Sequence, residues 1–266
     1  MAPRVGIGII TYNRRELVAE TIACVREYTR HSPVEFVVAD DGSTDGTAEM
    51  CRESNICCVT GSNRGVAWNK NRALYMLSEV LGCELTILLE DDTQPTEFGW
   101  EAEWIAAAAR WGHVNFAAPW IGGTFLEGSG TASDPIVATA ATAQCAAFSC
   151  EALISAGYFD SRFKGYGDEH IEHTQRLIRH GFGGAISIVN GSQRDVFYLL
   201  RGGLTVRGSA SYFNDDQVRR NRALAGELSS DLGRRDPWCD AAECSLLNEE
   251  IRAALSRTPN NRVTIL

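Results

Sequence analysis

The chain has 266 residues, 44% of them hydrophobic, and a formal net charge of −9 from 34 acidic and 25 basic side chains. That length and composition suit an ordinary globule, either one large α/β domain or one domain with a small appendage. The acidic balance argues against nucleic acid as the main partner and against a polybasic grip on anionic lipid, since both rest on basic surface that neutralises phosphates.

Val5-Gly6-Ile7-Gly8-Ile9-Ile10 reads as a first, central strand, Thr11-Tyr12-Asn13 as a turn, and residues 15–28 as a helix with Val18, Ile22 and Val25 on one face. The two glycines invite a dinucleotide-binding reading, but that fingerprint needs a third glycine opening the helix, and Ile9-Ile10-Thr11 stands in its place. A second strand over residues 34–39 runs into Asp40-Asp41-Gly42-Ser43-Thr44-Asp45-Gly46-Thr47, where Thr44 or Asp45 can cap the next helix. A carboxylate at that strand tip can accept hydrogen bonds from a base or ribose edge; an Asx-turn without ligand is the commoner use of such a sequence.

After a short strand over residues 56–60, a loop through Gly65 leads into a helix with a stripe of Leu74, Leu77 and Leu81. Arg64, Lys70 and Arg72 cluster at its start, where cations oppose the helix dipole. An anion such as a diphosphate, bound between them and the backbone N–H groups, explains that placement better than scattered surface charge. Thr86-Ile87-Leu88-Leu89-Glu90-Asp91-Asp92 then reads as a strand buried on both faces that ends in three carboxylates. Adjacent acids raise each other's cost of ionisation, and hard oxygen ligands left partly open favour Mg²⁺ or Mn²⁺ completed by substrate phosphates. Asp91 and Asp92 are thus candidate metal-site residues, although Asp92-Thr93 with Pro95 beyond also suits a helix start.

Residues 100–111 read as an Ala-rich amphipathic helix, 114–118 and 144–149 as strands, and 151–156 as a helix. Residues 119–142 have little periodicity and are expected either to shape a pocket, with Trp120, or to be a plain excursion. A second charged constellation follows in Gly165-Tyr166-Gly167-Asp168-Glu169-His170-Ile171-Glu172-His173. On a helix over 168–180, Glu169, Glu172 and Arg176 share a face. The glycine and aromatic lead-in reads as a mobile lid beside a carboxylate of tunable pKa, while the first acids also simply complement the helix dipole. Residues 186–189 are expected as the last core strand, 190–216 as a loop carrying Arg194, Arg201 and Arg207, and the tail as helices around 217–228 and 241–255.

Nine cysteines with no Cys-x-x-Cys fit reduced thiols better than a disulfide frame, and Cys239 with Cys244 lacks the second pair a structural zinc needs. No apolar run reaches bilayer length and Met1-Ala2-Pro3-Arg4 leads straight into a strand, so a cytoplasmic protein with no transmembrane segment is expected.

Taken in order, Thr11-Tyr12-Asn13-Arg14, the Asp40–Thr47 run, Asn63-Arg64-Gly65 through Arg72, Glu90-Asp91-Asp92 and the Asp168–Arg176 segment resemble the family 2 glycosyltransferases. The resemblance spans about residues 4–190. It implies an α/β fold, a single GT-A (Rossmann-like) domain with a mostly parallel central sheet flanked by helices and a small C-terminal helical extension. The GT-A domain would be residues 1–215, its nucleotide-binding half about 1–92 and its acceptor-binding half about 93–215, with 216–266 as the extension packed on it. The implied reaction moves a sugar from a nucleotide-sugar donor, a UDP-sugar foremost, to an acceptor hydroxyl, with inversion if the displacement is single. Thr11, Tyr12, Asp40, Asn63, Lys70 and Asp91 match nucleotide-site positions, with Asp40 facing the base. Asp92, with Asp91, matches the family's Asp-x-Asp motif for Mn²⁺ or Mg²⁺. Glu169 is preferred as general base, Asp168 and Glu172 being rivals, and one alignment puts His170 there. The partners are then a nucleotide-sugar and a carbohydrate or other hydroxyl-bearing acceptor. A sugar nucleotidyltransferase would want a Gly-rich basic loop where Ile10-Thr11-Tyr12-Asn13-Arg14 stands. A catalytically inactive binding protein, or zinc hydrolysis through His170, His173 and Glu169, completes the alternatives.

Overall fold

The computed structural model describes residues 3–208, 214–231, 233–258 and 264–265. Its first half alternates strand and helix: β1 (Val5–Thr11), α1 (Arg15–Tyr28), β2 (Val34–Asp40), α2 (Thr47–Glu53), β3 (Cys57–Thr60), α3 (Val66–Tyr75, continuing as a π turn over Met76–Val80) and β4 (Leu85–Glu90). These strands lie in the order β3-β2-β1-β4, all parallel. Every residue of β1 and β2 is buried, as expected of strands covered on both faces. Val5, Ile7 and Ile9 turn to α1, meeting Val18, Ile22 and Val25, while Val37 on β2 meets Trp68 and Leu77 on the α3 side.

Gly6 and Gly8 have a packing role on that second face. A Cβ on Gly6 would lie 2.8 Å from Leu77 Cδ2, and one on Gly8 would lie 3.1 Å from Ala73 Cβ. Their absence of side chain lets α3 settle closely on β1.

The second half comprises β5 (Thr93–Pro95), α4 (Glu101–Trp111), β6 (His113–Phe116), a 3₁₀ turn (Pro119–Thr124), β7 (Phe125–Glu127), β8 (Ile136–Ala138), β9 (Cys145–Ser149), α5 (Cys150–Ala156) and α6 (Glu169–Arg179). β10 (Gly184–Val189), β11 (Ser192–Leu200), β12 (Leu204–Val206), α7 (Asp215–Leu228), α8 (Ala241–Arg257) and β13 (Thr264–Ile265) follow. The central sheet runs β13-β2-β1-β4-β9-β6-β11-β8-β7, with β3 beside β2 and β10 beside β11. Its parallel character is confined to the first half and to the β6–β11 pair. β9 lies antiparallel between β4 and β6, and β7, β8 and β10 also run antiparallel to their neighbours.

Four sequence expectations change here. Residues 93–95 form a strand paired with β12 rather than a helix start, and the next helix begins at Glu101. The aperiodic stretch 119–142 holds a 3₁₀ turn and two short strands. Residues 190–216 contain the nine-residue strand β11 as well as β12. The strand at 186–189 is the exposed arm of a hairpin, with Ile188 70% exposed, and the core position belongs to Val196, Phe197, Leu199 and Leu200. Asn190 and Gly191 have φ of 51° and 77° and close that hairpin in two residues, the Asn-Gly turn that matches strand twist.

The tail is bound to the core. Leu247, Ile251 and Ala254 of α8 pack with Val37, Cys57, Val59, Trp68, Met76 and Leu77, and the backbone of β13 pairs antiparallel with β2. Among the described residues no helix is long and apolar enough to cross a membrane.

His113, fully buried on β6, binds Ala147 O through Nδ1 at 2.9 Å and Thr174 Oγ1 through Nε2 at 3.2 Å. Burial pulls its pKa down to about 4. The folded state then holds fewer protons than the unfolded chain between about pH 4 and 6.5, so stability rises with pH through that window and falls as acid is added. At most about 3 kcal/mol is involved. Urea unfolding at pH 4.5 and 7 is expected to show His113→Gln with a smaller difference than wild type; an equal difference would remove His113 from the acid sensitivity.

Candidate active site

Strand order 2-1-4 reverses the winding direction at β1, which opens a crevice at the carboxyl ends of β1 and β4. Thr11 ends β1 and donates from Oγ1 to Asp91 Oδ2 at 2.8 Å, bridging the two tips. Arg14 Nη1 stands 2.9 Å from Asp91 Oδ1 and 3.6 Å from Asp92 Oδ2, and Thr21 Oγ1 donates to the Asp91 carbonyl at 2.6 Å. Asn69 of α3 ties the neighbouring tips together, its Nδ2 donating to Thr11 O and Ala39 O. Burial pushes the Asp91 carboxyl up, against the downward pull of Thr11 and Arg14. Arg207 N donates to Asp92 O at 2.8 Å, which fastens the end of β12 to the site.

The donors offered to a divalent ion are hard carboxylate oxygens. Asp91 spends its two on Thr11 and Arg14, so Asp92 is the better direct ligand in this arrangement. Among the described residues no group of three or more His, Cys, Asp or Glu side chains is placed to hold a metal alone. Two adjacent carboxylates could serve Mg²⁺ or Mn²⁺ only where oxygens from another source complete the coordination shell.

Asp40 departs from its expected place. The residue is 0% exposed; both its oxygens face Ser43 N at 3.2 Å, Ser43 Oγ is bound to one and Thr60 Oγ1 donates to the other at 2.6 Å. This is the Asx-turn arrangement, and it directs the carboxylate into the strand tip instead of toward a base. Tyr12, 46% exposed at the same tip, and the exposed Asn63 remain at the surface of the crevice.

The three-cation cluster is also divided. Arg72 is fully buried, with Nε and Nη2 at 2.8 and 2.9 Å from the two oxygens of Glu250 and Nη1 at 2.8 Å from Asp41 Oδ1. Arg64 pairs with Glu243 over the Trp68 ring. Neither is available to a diphosphate, because α8 supplies their counter-charges. Lys70 alone faces the acids: its Nζ lies 3.6 Å from Glu169 Oε1, 3.8 Å from Glu90 Oε1 and 5.2 Å above the Phe159 ring, without a hydrogen-bond partner among the described residues. Burial pushes the Glu90 carboxyl up to about 7; Lys70 opposes the rise and Asp92, Glu169 and Asp91 add to it. Glu90 and Arg14 are site residues that sequence reading named only as motif neighbours.

In the later acidic segment, Glu169 Oε2 accepts Gly167 N at 2.7 Å. Asp168 stands at the N-cap position of α6 with φ of 62° but makes no side-chain cap hydrogen bond, and its Oδ2 lies 3.4 Å from Arg222 Nε. Glu172 does not join them: Arg176 holds both its oxygens at 2.9 and 3.2 Å and donates onward to Tyr158 O, a buried structural pair. The zinc arrangement of His170, His173 and Glu169 is likewise absent. His173 Nε2 meets Gly157 O at 2.8 Å with its ring 4.2 Å from that of Phe159, and His170 stacks on the same Phe159 ring at 6.4 Å. Burial holds both imidazoles well below their usual pKa, with Lys70 adding to the effect on His170 and Arg176 on His173.

Residues 7–101 match the family model described as Glycosyl transferase family 2. No curated protein matches the chain. Among solved structures, the mannosyltransferase PcManGT from Pyrobaculum calidifontis in complex with GDP-Man and Mn²⁺ superposes with a TM-score of 0.57 at 17% identity, over 96% of this chain and 75% of that one. S. aureus TarS 1–349 in complex with UDP-GlcNAc gives 0.56 at 14% identity, over 96% and 72%. GalNAc-T7 with UDP, GalNAc and Mn²⁺ gives 0.55 at 13%, over 94% and 55%. At such identities the likeness is one of fold.

Because Arg72 has no route to water, removing Glu250 would leave its guanidinium half-paired in the interior. Glu250→Ala is expected to cost roughly 3 kcal/mol, read as a lower urea midpoint, while Glu250→Gln, which keeps an acceptor for the guanidinium, recovers part of it. A loss below about 1 kcal/mol would refute the anchoring role.

Proposed function

We propose that the chain is a family 2 glycosyltransferase on a GT-A fold that moves a sugar from a UDP-sugar, or a related nucleotide-sugar, to a carbohydrate or other acceptor hydroxyl in a metal-dependent single displacement that inverts the anomeric centre. The observation that carries this reading is the buried Lys70 ammonium held between Glu169 and Glu90, beside the Asp91-Asp92 pair at the strand switch. That contact joins the end of the crevice that would hold a leaving diphosphate to the segment that would hold the acceptor.

Residues about 1–92 form the nucleotide half of this reading, residues about 93–215 the acceptor half, and 216–266 the extension. Tyr12 offers its exposed ring to a base, Thr11 and Asn63 line the same tips, and Asp91 orients Arg14. Asp92 would hold the Mn²⁺ or Mg²⁺, which when bound supplies positive charge to the diphosphate. Lys70 contributes a second positive charge on the same side, worth most where water is excluded. Glu169 takes the proton of the acceptor hydroxyl, and Asp168, one residue earlier, is the alternate base. Glu172 has no part in the chemistry. The odd cysteine count suits action in a reducing compartment, the cytoplasm.

The test is a screen of UDP-, GDP- and dTDP-sugars with Mn²⁺ for thermal stabilisation, followed by turnover with the donor that binds. Glu169→Gln is expected to lower kcat by about 100-fold or more with donor binding retained. Asp92→Asn should raise the Mn²⁺ concentration needed for half-maximal rate. Glu172→Gln should lower the melting temperature and leave the pH profile of surviving activity unchanged. Nucleotide binding with no turnover above the uncatalysed rate for any donor would instead mark a binding protein.

A further inference from the structure

The segment that carries the proposed base is clasped between two helices, one of them far outside the region matched to the family. On one side, Val66 N donates to Gly165 O at 2.7 Å, and a Cβ on Gly65 would lie 2.5 Å from Gly165 N, so residue 165 rests directly on the start of α3. This is the helix that carries Lys70. On the other side stands α7. Asn221, 2% exposed, donates from Nδ2 to Lys164 O at 2.8 Å and to Tyr166 O at 3.1 Å, and its Oδ1 accepts Gln217 Nε2 at 3.1 Å. One turn face further, Arg222 Nε meets Asp168 Oδ2.

These contacts act on a backbone that does not hold itself in place by regular structure. Gly165, Gly167 and Asp168 all have positive φ, at 60°, 107° and 62°, and Asp168 is a non-glycine residue in the left-handed region. Such a conformation persists where surrounding contacts over-determine it, and it clusters at functional sites. The Asn221 amide can donate two hydrogen bonds from one nitrogen, which suits it to pin two carbonyls that flank Gly165. The pinned turn then delivers Glu169 to Lys70.

We propose that Asn221 and Arg222 of α7 are positioning residues for the proposed transfer: Asn221 clips the 164–166 backbone onto α3, and Arg222 orients the Asp168 carboxylate, so that Glu169 and Asp168 face the donor crevice. The catalytic part of this proposal rests on the transferase reading above, whereas the clip itself is a property of the fold.

Two measurements on the full chain separate those parts. The Lys164–Gly165 bond is a tryptic site with a half-exposed lysine, so native-state trypsin digestion reads the clip directly. Asn221→Ala and Asn221→Asp, the latter retaining shape but losing both donated hydrogen bonds, should be cut at that bond at least about 10-fold faster than wild type while cleavage elsewhere keeps its rate. In turnover, Asn221→Ala should lose about 10-fold or more in kcat with donor KM within about 2-fold, the signature of lost transition-state geometry. Arg222→Met, at an exposed position that cannot unfold the core, should lower kcat and shift the pH–rate profile, and Arg222→Lys should restore part of both. Unchanged cleavage at Lys164 in folded Asn221→Ala overturns the clip. Wild-type rates in both Asn221→Ala and Arg222→Met overturn the positioning role. Faster cleavage in the variants of a protein that turns over no donor leaves the clip standing and removes the transferase reading together with the positioning role.

Discussion

Negative charge gathered at the tip of one buried strand is the constraint on which this structure turns. β4 delivers Glu90, Asp91 and Asp92 in succession from an apolar interior, and Glu169 is brought to the same place by a distant segment. Carboxylates this close, partly out of water, resist ionising together unless cations stand among them. Arg14 and Lys70 are the cations the fold provides, one on each side of the run. Thr11 spends its hydroxyl on the same need. Burial holds the Glu90 carboxyl up at about 7 against the opposing pull of Lys70, and the neighbouring acids add to the rise.

The C-terminal helices complete this division of charge. Arg64 stands just before α3, whereas Lys70 and Arg72 lie within it, Arg72 in its last α turn. Glu243 and Glu250 on α8 take Arg64 and Arg72, and the buried Arg72 network also fixes Asp41 at the end of β2. Lys70 is thereby singled out for the crevice. α7 does the corresponding work on the other flank, through Asn221 and Arg222. A tail that looks like an appendage by its polarity is thus bound up with both flanks of the site.

Much of the scaffold was legible in the chain alone. The continuous apolar runs of β1, β2 and β4 announce strands covered on both sides, and the Val18, Ile22, Val25 and Leu247, Ile251, Ala254 stripes announce the helix faces that cover them. Gly6 and Gly8 lack the third glycine of a dinucleotide fingerprint, and in the structure they permit the close approach of α3 to β1. The Asn190-Gly191 hairpin was readable by its turn chemistry and was passed over, because β11 opens on the polar run Ser192-Gln193-Arg194-Asp195 before its apolar residues begin. β9 carried no hint of running antiparallel, since a strand's own sequence does not encode the direction of its neighbours.

The sequence by itself determined the element types in the first half, the positions of the acids and bases, and the chemistry those side chains have available. Only the tertiary structure decided which of them meet. Asp40 turned inward to Ser43 and Thr60, Glu172 went to Arg176, the histidines went to the aromatic core, and Lys70 reached Glu169 across 99 residues of chain. The reason is physical: a carboxylate or an ammonium carries the same charge wherever it stands, but its role depends on the partner that neutralises it and the water it keeps. Both are set by long-range packing that no local pattern records.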